Sequence, residues 1–455
     1  MKKILIIVAT VIVALALTPI VGNKVIESKL DENINKLSSN GLEIKNQKTD
    51  SGYLNTSKHY EFAVKDSQKF INYLSDLLNQ QIPSYGDSFF KDSVVGVDLK
   101  FSNVPVLKTT SIDIYPISLS EKIMQDIKNE DTDFANFIQS FLAKKGLSYH
   151  VDYDILSQDF KGYIKDVKES YAYKADSKID FELTGSTFFG NGNLISPNFL
   201  DSNTKKIYTY FSSSSDEVKI SLNNMSTSLK FESITSYTSS LDFNSLDIDI
   251  QSKNKNDSKI DIKNILFDFS SSTDGTKAKF SSKSSFEKFD ITTKNESIYM
   301  KNFNFDTTLD GIDKDSYEEL NVLLRKSSNL NDNTLSLKMQ KLIEKLFLKG
   351  FELNIKDISI ENIRLNKNDL GTSSLKSNVK LPQNAVTSKV RPMELINKID
   401  IDMLINISKP MFKVITNSTP ILAISQGYAK DNGNSLVYDL KVKDGSVTVN
   451  GKKVK

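Results

Sequence analysis

The sequence predicts an α+β fold: a long curved antiparallel β-sheet of many strands, backed by several helices and preceded by one N-terminal transmembrane helix. Three observations carry that prediction. From about Ser177 to about Asp310 apolar residues alternate at period two, with Ser, Lys, Asp and Asn between them, as in a sheet covered on one side and wet on the other. Asp66–Ile82, Asp133–Lys145 and Asp315–Lys349 instead space their apolar residues at three and four, as core-facing helices do. Finally, the run Ile4–Val21 follows Lys2 and Lys3 and contains no charged residue.

That first run makes roughly 27 Å of helix at about 1.5 Å per residue, close to the thickness of a bilayer's hydrocarbon core. A cleaved signal peptide would use Ile4–Val13 as its apolar region and Ala14-Leu15-Ala16 as its cleavage site. The apolar character continues through Leu17, Ile20 and Val21 without a polar break. Val25, Ile26, Leu30, Ile34 and Leu37 then keep helical spacing. We therefore read residues 1–22 as an uncleaved signal-anchor and 23–48 as an amphipathic stalk helix and linker. The chain has 0 Cys, which excludes a lipoprotein anchor. Lys2 and Lys3 bias the amino terminus inward. No second run of that length follows, so the expected location is the bacterial inner membrane, single-pass, with the ectodomain in the periplasm.

Composition narrows the class further. At 455 residues the chain exceeds the size at which one core stops growing, so several lobes are expected. Its 59 basic and 57 acidic residues leave a formal charge of +2, which provides no field for nucleic acid. The absence of cysteine suits a large bacterial envelope protein better than a small disulfide scaffold.

In chain order, residues 49–176 form an N-terminal α+β lobe. Gly52-Tyr53-Leu54 leads into alternation at Tyr60, Phe62 and Val64, and Asp66–Ile82 is a helix stopped by Pro83. Val94–Val106 alternates, and Ser118 with Glu121 makes a capping box for another helix. Asp133–Lys145 puts Phe134, Phe137, Ile138, Phe141 and Leu142 on one face and ends at Gly146. Gly190-Asn191-Gly192 reads as a turn. The repetitive β region follows at 177–311. Several of its strands share a slipped form, apolar-x-apolar, two residues, apolar-x-apolar, as in LDFNSLDIDI, KIDIKNILFDF and SIYMKNFNFD. Such a slip predicts a bulge or tight bend. Ile248, Phe267 and Phe305 recur at multiples of about nineteen residues, a weak repeat. The C-terminal α+β lobe, 312–455, carries helical spacing over Asp315–Lys349, the slipped strand Phe351–Leu365, a helix over Pro392–Ile415 ended or kinked by Pro410, and a short helix at Pro420–Ala429. It closes in a hairpin turned at Asp444-Gly445.

The closing pattern Tyr438-x-Leu440-x-Val442-x-Asp444-Gly445-x-Val447-x-Val449-Asn450-Gly451-Lys452 resembles the C-terminal hairpin of the YdgA-like bacterial envelope proteins, a domain family of unknown function. The lysine-led anchor, Gly52-Tyr53-Leu54, and a helix ending in Leu348-Lys349-Gly350 before a strand agree with that layout. The resemblance implies a membrane-anchored periplasmic protein and carries no catalytic residues. More distantly, the alternation resembles AsmA-like proteins, which accommodate lipid on a β-groove.

Catalytic, cofactor and metal sites are all expected to be absent. His59 and His150, the 2 histidines, lie far apart in sequence, each beside a tyrosine in an expected strand. The residues support a metal pair or general base there less well than ordinary core-edge histidines. Carboxylates share a strand face at Asp400 and Asp402 and at Asp247 and Asp249, and cluster over Glu130–Asp133; a glycosidase could use such a pair, but a solvated strand face explains them better. Lys452, Lys453 and Lys455 could touch lipid headgroups or form a charged tail. The expected role is a non-enzymatic envelope binding or scaffold protein that accommodates lipid on a β-groove. The alternatives are an envelope-glycan hydrolase and a secreted surface or adhesin protein. Expected partners are the inner membrane through residues 4–21 and lipid or another envelope protein, with self-association left open and no nucleic acid.

Overall fold

A computed structural model describes residues 34–78, 86–103, 109–173, 177–194, 197–233, 235–252, 257–326, 332–383, 397–419 and 425–454. The expected anchor Ile4–Val21 and most of the stalk lie outside these residues. So do the end of the first expected helix at 79–82, the start of the Pro392–Ile415 segment and residues 420–424. Among the described residues no helix is long and apolar enough to cross a membrane. The strands are antiparallel throughout, in two compact units: residues 1–214 with 226–230, and residues 215–225 with 231–455. The strand β11 (Asp216–Ser233) is divided between them.

In the first unit β1 (Leu42–Ser51), β2 (Asn55–Val64), β3 (Val94–Ser102), β4 (Thr109–Ser118), β5 (Tyr149–Asp154) and β6 (Asp159–Ile164) follow one another as a meander. β7 (Val167–Tyr173) continues β6 after a break, and β8 (Ser177–Thr184) and β9 (Ser186–Gly192) return beside them. β10 (Pro197–Ser212) pairs with both β8 and β9. One face of this sheet is apolar. Phe62, Val97, Leu99, Ile112, Ile114 and Val151 point to it and are fully buried beneath α1 (Ser67–Leu78), whose Phe70, Ile71 and Leu74 complete the core. The Asp66 carboxylate accepts the Lys69 amide and caps that helix.

After the short helix α2 (Gly86–Phe90), α3 (Glu121–Glu130) and α4 (Thr132–Ala143) form a second cluster in which Ile123, Ile127, Phe134 and Ala135 pack on Tyr171 and Ile179. The cap of α3 is Ser120, whose hydroxyl accepts the Ile123 amide, rather than the expected Ser118, which ends β4. Gly190-Asn191-Gly192 is likewise strand and not turn. A Cβ on Gly190 would lie 2.4 Å from the Phe160 ring and 2.3 Å from the Phe199 carbonyl oxygen, so the glycine admits a ring rather than a reversal.

The second unit is a longer meander of β12 (Ser236–Ser252), β13 (Ser258–Asp274), β14 (Lys277–Thr293), β15 (Ser297–Asp313), β16 (Phe351–Leu365), β17 (Asn368–Leu381), β18 (Asp400–Ser408) and β20 (Ser435–Lys443), with the short strand β19 (Lys430–Asn432) paired to β20. Three of the expected slips are seen and are of two kinds, while at Asn244–Ser245 of β12 neither a positive φ nor a register shift occurs. Asn264 and Asn302 sit at φ 50° and 49° while the register runs through both sites unshifted, so these are left-handed bends and not bulges. At Lys356 the register shifts, and that slip is a bulge. α5 (Lys314–Lys326) and α6 (Asp332–Leu348) form a hairpin, with Tyr317 seated on Ala278 and Ile312.

Of the expected helix over Pro392–Ile415, the described residues are helical only from Lys409 onward. Residues 400–408 are strand, because Ile401, Met403, Ile405 and Ile407 also satisfy period two and find Val379, Ser377, Leu375 and Ser373 opposite them. Pro410 opens the following helix, α7 (Lys409–Ser418), where its missing amide costs nothing. The final hairpin joins β20 to β21 (Ser446–Val449) with Asp444 and Gly445 both at positive φ, and β22 (Lys452–Lys453) follows.

Candidate functional site

The long strands of the second unit line up apolar residues in rows across the sheet. Ile248, Ile260, Ile291, Ile298 and Leu365 are successive partners on β12 to β16. The next row is Leu246, Ile262, Phe289, Met300 and Ile363. Beyond the bends come Phe286, Phe303 and Ile360, with the two rings stacked at 5.0 Å. The bends keep these rows on one face: Met300 and Phe303 are three positions apart and would otherwise point oppositely.

That face is unevenly filled. Phe267 stands opposite Ser284 and Phe269 opposite Ser282, and across β14 the same serines face Phe305 and Thr307. Along β14 itself Phe280 and Phe286 bracket the two serines. Two serines thus stand in register among five phenylalanines, and Phe267 and Phe269 beside them are left 37% and 47% exposed. α7 covers one end of the face through Met411, and Tyr317 of α5 packs against Phe280 at another. The reverse face is charged: Lys288 bridges Asp261 at 2.6 Å and Asp290 at 3.3 Å.

The first unit holds a second constellation, on the sheet face opposite its core. His59, Asp98, Asp113, His150 and Tyr163 are successive cross-strand partners from β2 to β6, so the two histidines lie in one row. His59 Nδ1 is 2.6 Å from Asp98 Oδ1, and His150 Nδ1 is 2.8 Å from Asp113 Oδ1. Lys145 Nζ reaches the other oxygen of Asp98 at 2.6 Å and lies 3.9 Å over the Tyr115 ring. Burial works against a charged His59, yet Asp98 and Glu61 outweigh it and hold its pKa above the ordinary histidine value. Burial likewise opposes ionisation of Asp98, but Lys145 and His59 bring its carboxyl below the usual range. Among the described residues no three histidines or carboxylates converge as a metal cage.

The carboxylates singled out by spacing are dispersed. Asp400 and Asp402 are exposed on β18, opposite Lys380 and Asn378. Asp247 faces Asp261, and Asp249 faces Lys259. In the Glu130–Asp133 cluster Asp131 caps α4, accepting the Phe134 amide at 3.0 Å and the Tyr171 hydroxyl at 3.2 Å. Sequence reasoning missed the histidine row because pairing is invisible in one dimension. The signal it held was local: each histidine precedes an acid by two positions, Glu61 and Asp152.

No curated protein and no solved structure matches the chain. A family model described as bacterial protein of unknown function (DUF945) matches residues 168–455, which includes the whole apolar face and begins after the histidine row. That match spans well over half of the sequence, and the chain belongs to the DUF945 family of bacterial proteins.

Proposed function

We propose that the protein is a non-enzymatic envelope protein, tethered in the inner membrane by Ile4–Val21 with its body in the periplasm, and that its apolar sheet face holds an acyl chain. The observation that carries this reading is the pair of serines, Ser282 and Ser284, set among Phe267, Phe269, Phe280, Phe286 and Phe305, two of whose rings are left part-exposed. A sheet face meant only for packing would place apolar residues there, since interiors are packed to the density of organic crystals. A methylene chain suits a strip one small-residue strand wide, and burying it gains roughly 25 cal/mol per Å² of apolar area. The serine hydroxyls give a carboxyl or ester oxygen a partner beside the rings.

The test is lipid extraction and mass spectrometry of the purified ectodomain, residues 23–455, alongside Ser284→Phe. Stoichiometric co-purified acyl chains, lost in the Ser284→Phe variant, are expected. An ectodomain that carries no lipid and takes up no added fatty acid sinks the reading. The tether is tested separately: protease added to spheroplasts should digest the body, and protection of the body would contradict a periplasmic location.

A further inference from the structure

The outer face of the first unit's sheet carries a row of carboxylates, Glu61 on β2, Asp98 on β3, Asp113 on β4 and Asp152 on β5. Asp98 and Asp113 stand directly opposite one another, where like charges repel. Lys145, at the end of α4, answers the first of these at 2.6 Å. Three more lysines share the face: Lys48 opposite His59, Lys100 two residues beyond Asp98, and Lys161 opposite Asp152. None of the three has an ion-pair partner among the described residues. The remaining source of positive charge on the row is imidazole.

His59 is placed to supply it. Its Nδ1 is 2.6 Å from Asp98 Oδ1 and its Nε2 is 3.3 Å from Glu61 Oε1. A carboxylate only accepts, and a neutral imidazole donates from one nitrogen alone, so both contacts are hydrogen bonds only in the charged ring. The Tyr115 hydroxyl lies 3.5 Å from Nδ1, and burial keeps it protonated, so it brings no charge of its own. His150 repeats the geometry on β5, with Nδ1 2.8 Å from Asp113, Nε2 3.4 Å from Asp152 and its ring stacked on Tyr163 at 4.8 Å.

We propose that His59 is a proton-operated tie between β2 and β3: charged, it fastens the first unit's sheet on this face, and neutral, it lets that sheet loosen. Deprotonation turns a lone pair of Nε2 against Glu61 and leaves Asp98, still facing Asp113, with Lys145 as its one cation. The same strands carry Phe62, Val97, Leu99, Ile112 and Ile114 on the reverse face, so a weaker ladder is felt in the core. The direction follows from the raised pKa of His59. Such a group contributes fully below its unfolded value, about 6.5, and its contribution is lost as pH rises through the folded one. The first unit is therefore firm near pH 6 and yields above neutrality, whereas the second unit holds no histidine. The tie lies before residue 168, where the family match begins, and is independent of the acyl-chain reading.

The experiment uses the full chain in detergent. Hydrogen exchange by mass spectrometry at pH 6 and pH 8, corrected for the intrinsic pH dependence of amide exchange, compares β2 and β3 with β13 to β15 as an internal reference. Relative protection of β2 and β3 should fall at least about 3-fold at the higher pH, and H59Q, which cannot titrate, should show a clearly smaller fall. NMR of the histidine-labelled chain follows the ring itself, the His59 signal being the one retained in H150Q. Its midpoint should lie above the about 6.5 of a free imidazole, and E61Q should lower it. A midpoint at or below the free value would overturn the proposal even where H59Q does not fold. So would an equal fall in the parent and H59Q, or relative protection that rises with pH.

Discussion

Asn302 offers a substitution whose sign separates two accounts of β15. It lies mid-strand, and β-propensity alone ranks valine above asparagine by up to about 1 kcal/mol, so an ordinary strand would be stabilised by Asn302→Val. The backbone there is left-handed, φ 49°, a conformation that asparagine tolerates and β-branched residues do not. Left-handed backbone costs an ordinary residue about 1–2 kcal/mol. The substitution also removes the amide that donates to Glu361 Oε2 at 2.6 Å, a hydrogen bond worth about 0.5–1.5 kcal/mol. Together these predict destabilisation of about 2–3 kcal/mol for valine, slightly less for alanine, and about 1 kcal/mol for glycine, which takes the left-handed form freely. The assay is hydrogen exchange across residues 297–313 by mass spectrometry, where 2 kcal/mol reads as about 30-fold faster exchange. The order of protection should be Asn, Gly, Ala, Val. Valine matching or exceeding the parent would refute the bend and, with it, the placement of Met300 and Phe303 on one face.

Three further outcomes follow from the same kind of geometry. Lys145 occupies the left-handed position after α4 (φ 50°), where the Lys145 amide donates to Leu142 and the Gly146 amide to Phe141 in a Schellman cap. Lys145→Ala should therefore cost about 1–2 kcal/mol through the lost Asp98 pair and Tyr115 contact, and Lys145→Gly about 1 kcal/mol less; equal urea midpoints for the two would contradict the cap. Asp131→Ala should lower stability by about 1–2 kcal/mol through loss of the α4 cap, with Asp131→Asn retaining most of it; an unchanged thermal midpoint in the alanine variant would count against this. Burial opposes ionisation of Asp313, but Ser316, Lys349 and Lys277 together hold its pKa below the ordinary aspartate value. A depressed folded pKa stabilises above the unfolded value, about 3.9, and that contribution disappears as pH falls through the folded one. The parent and Asp313→Asn should thus differ in stability at pH 6 and converge in strong acid; a gap that widens on acidification would reverse the assigned sign.

Much of the fold was legible because its strands alternate over many residues, and a period-two signal is local. Ile260 and Ile262, the two-residue slip and then Ile265 and Phe267 dictate strand, bend and strand without reference to any neighbour. The failure at 400–408 has a definite cause: Ile401, Met403, Ile405 and Ile407 fit strand spacing, but in company with Met411, Phe412 and Ile415 they also fit a helix, and only the partners on β17 and β20 decide. The cap of α3 was displaced by two residues because Ser118 and Ser120 are interchangeable as cap formers until the end of β4 is known. Neither candidate site was legible, for the same reason. Which side chains stand opposite one another is set by hairpin register, and a single sequence encodes register only through its consequences.

The serines of β14 and the paired aspartates of β3 and β4 both break the pattern of their sheets, but only one of them is answered within the chain. On β14 an apolar face gives up two positions to serine between Phe280 and Phe286, leaving rings beside them partly in water. On β3 and β4 two aspartates stand directly opposite, although like charges across a strand pair are destabilising. The aspartates have their partners, since each bonds a histidine and Asp98 also pairs with Lys145, whereas packing supplies no reason for Ser284, where an aliphatic residue would suit the neighbouring rings better. An apolar chain over the serines would cover the part-exposed rings and remove that penalty. Plugging that position with Ser284→Phe should therefore abolish acyl-chain binding if the proposal holds, and leave the His59–Asp98 pair of the other unit untouched.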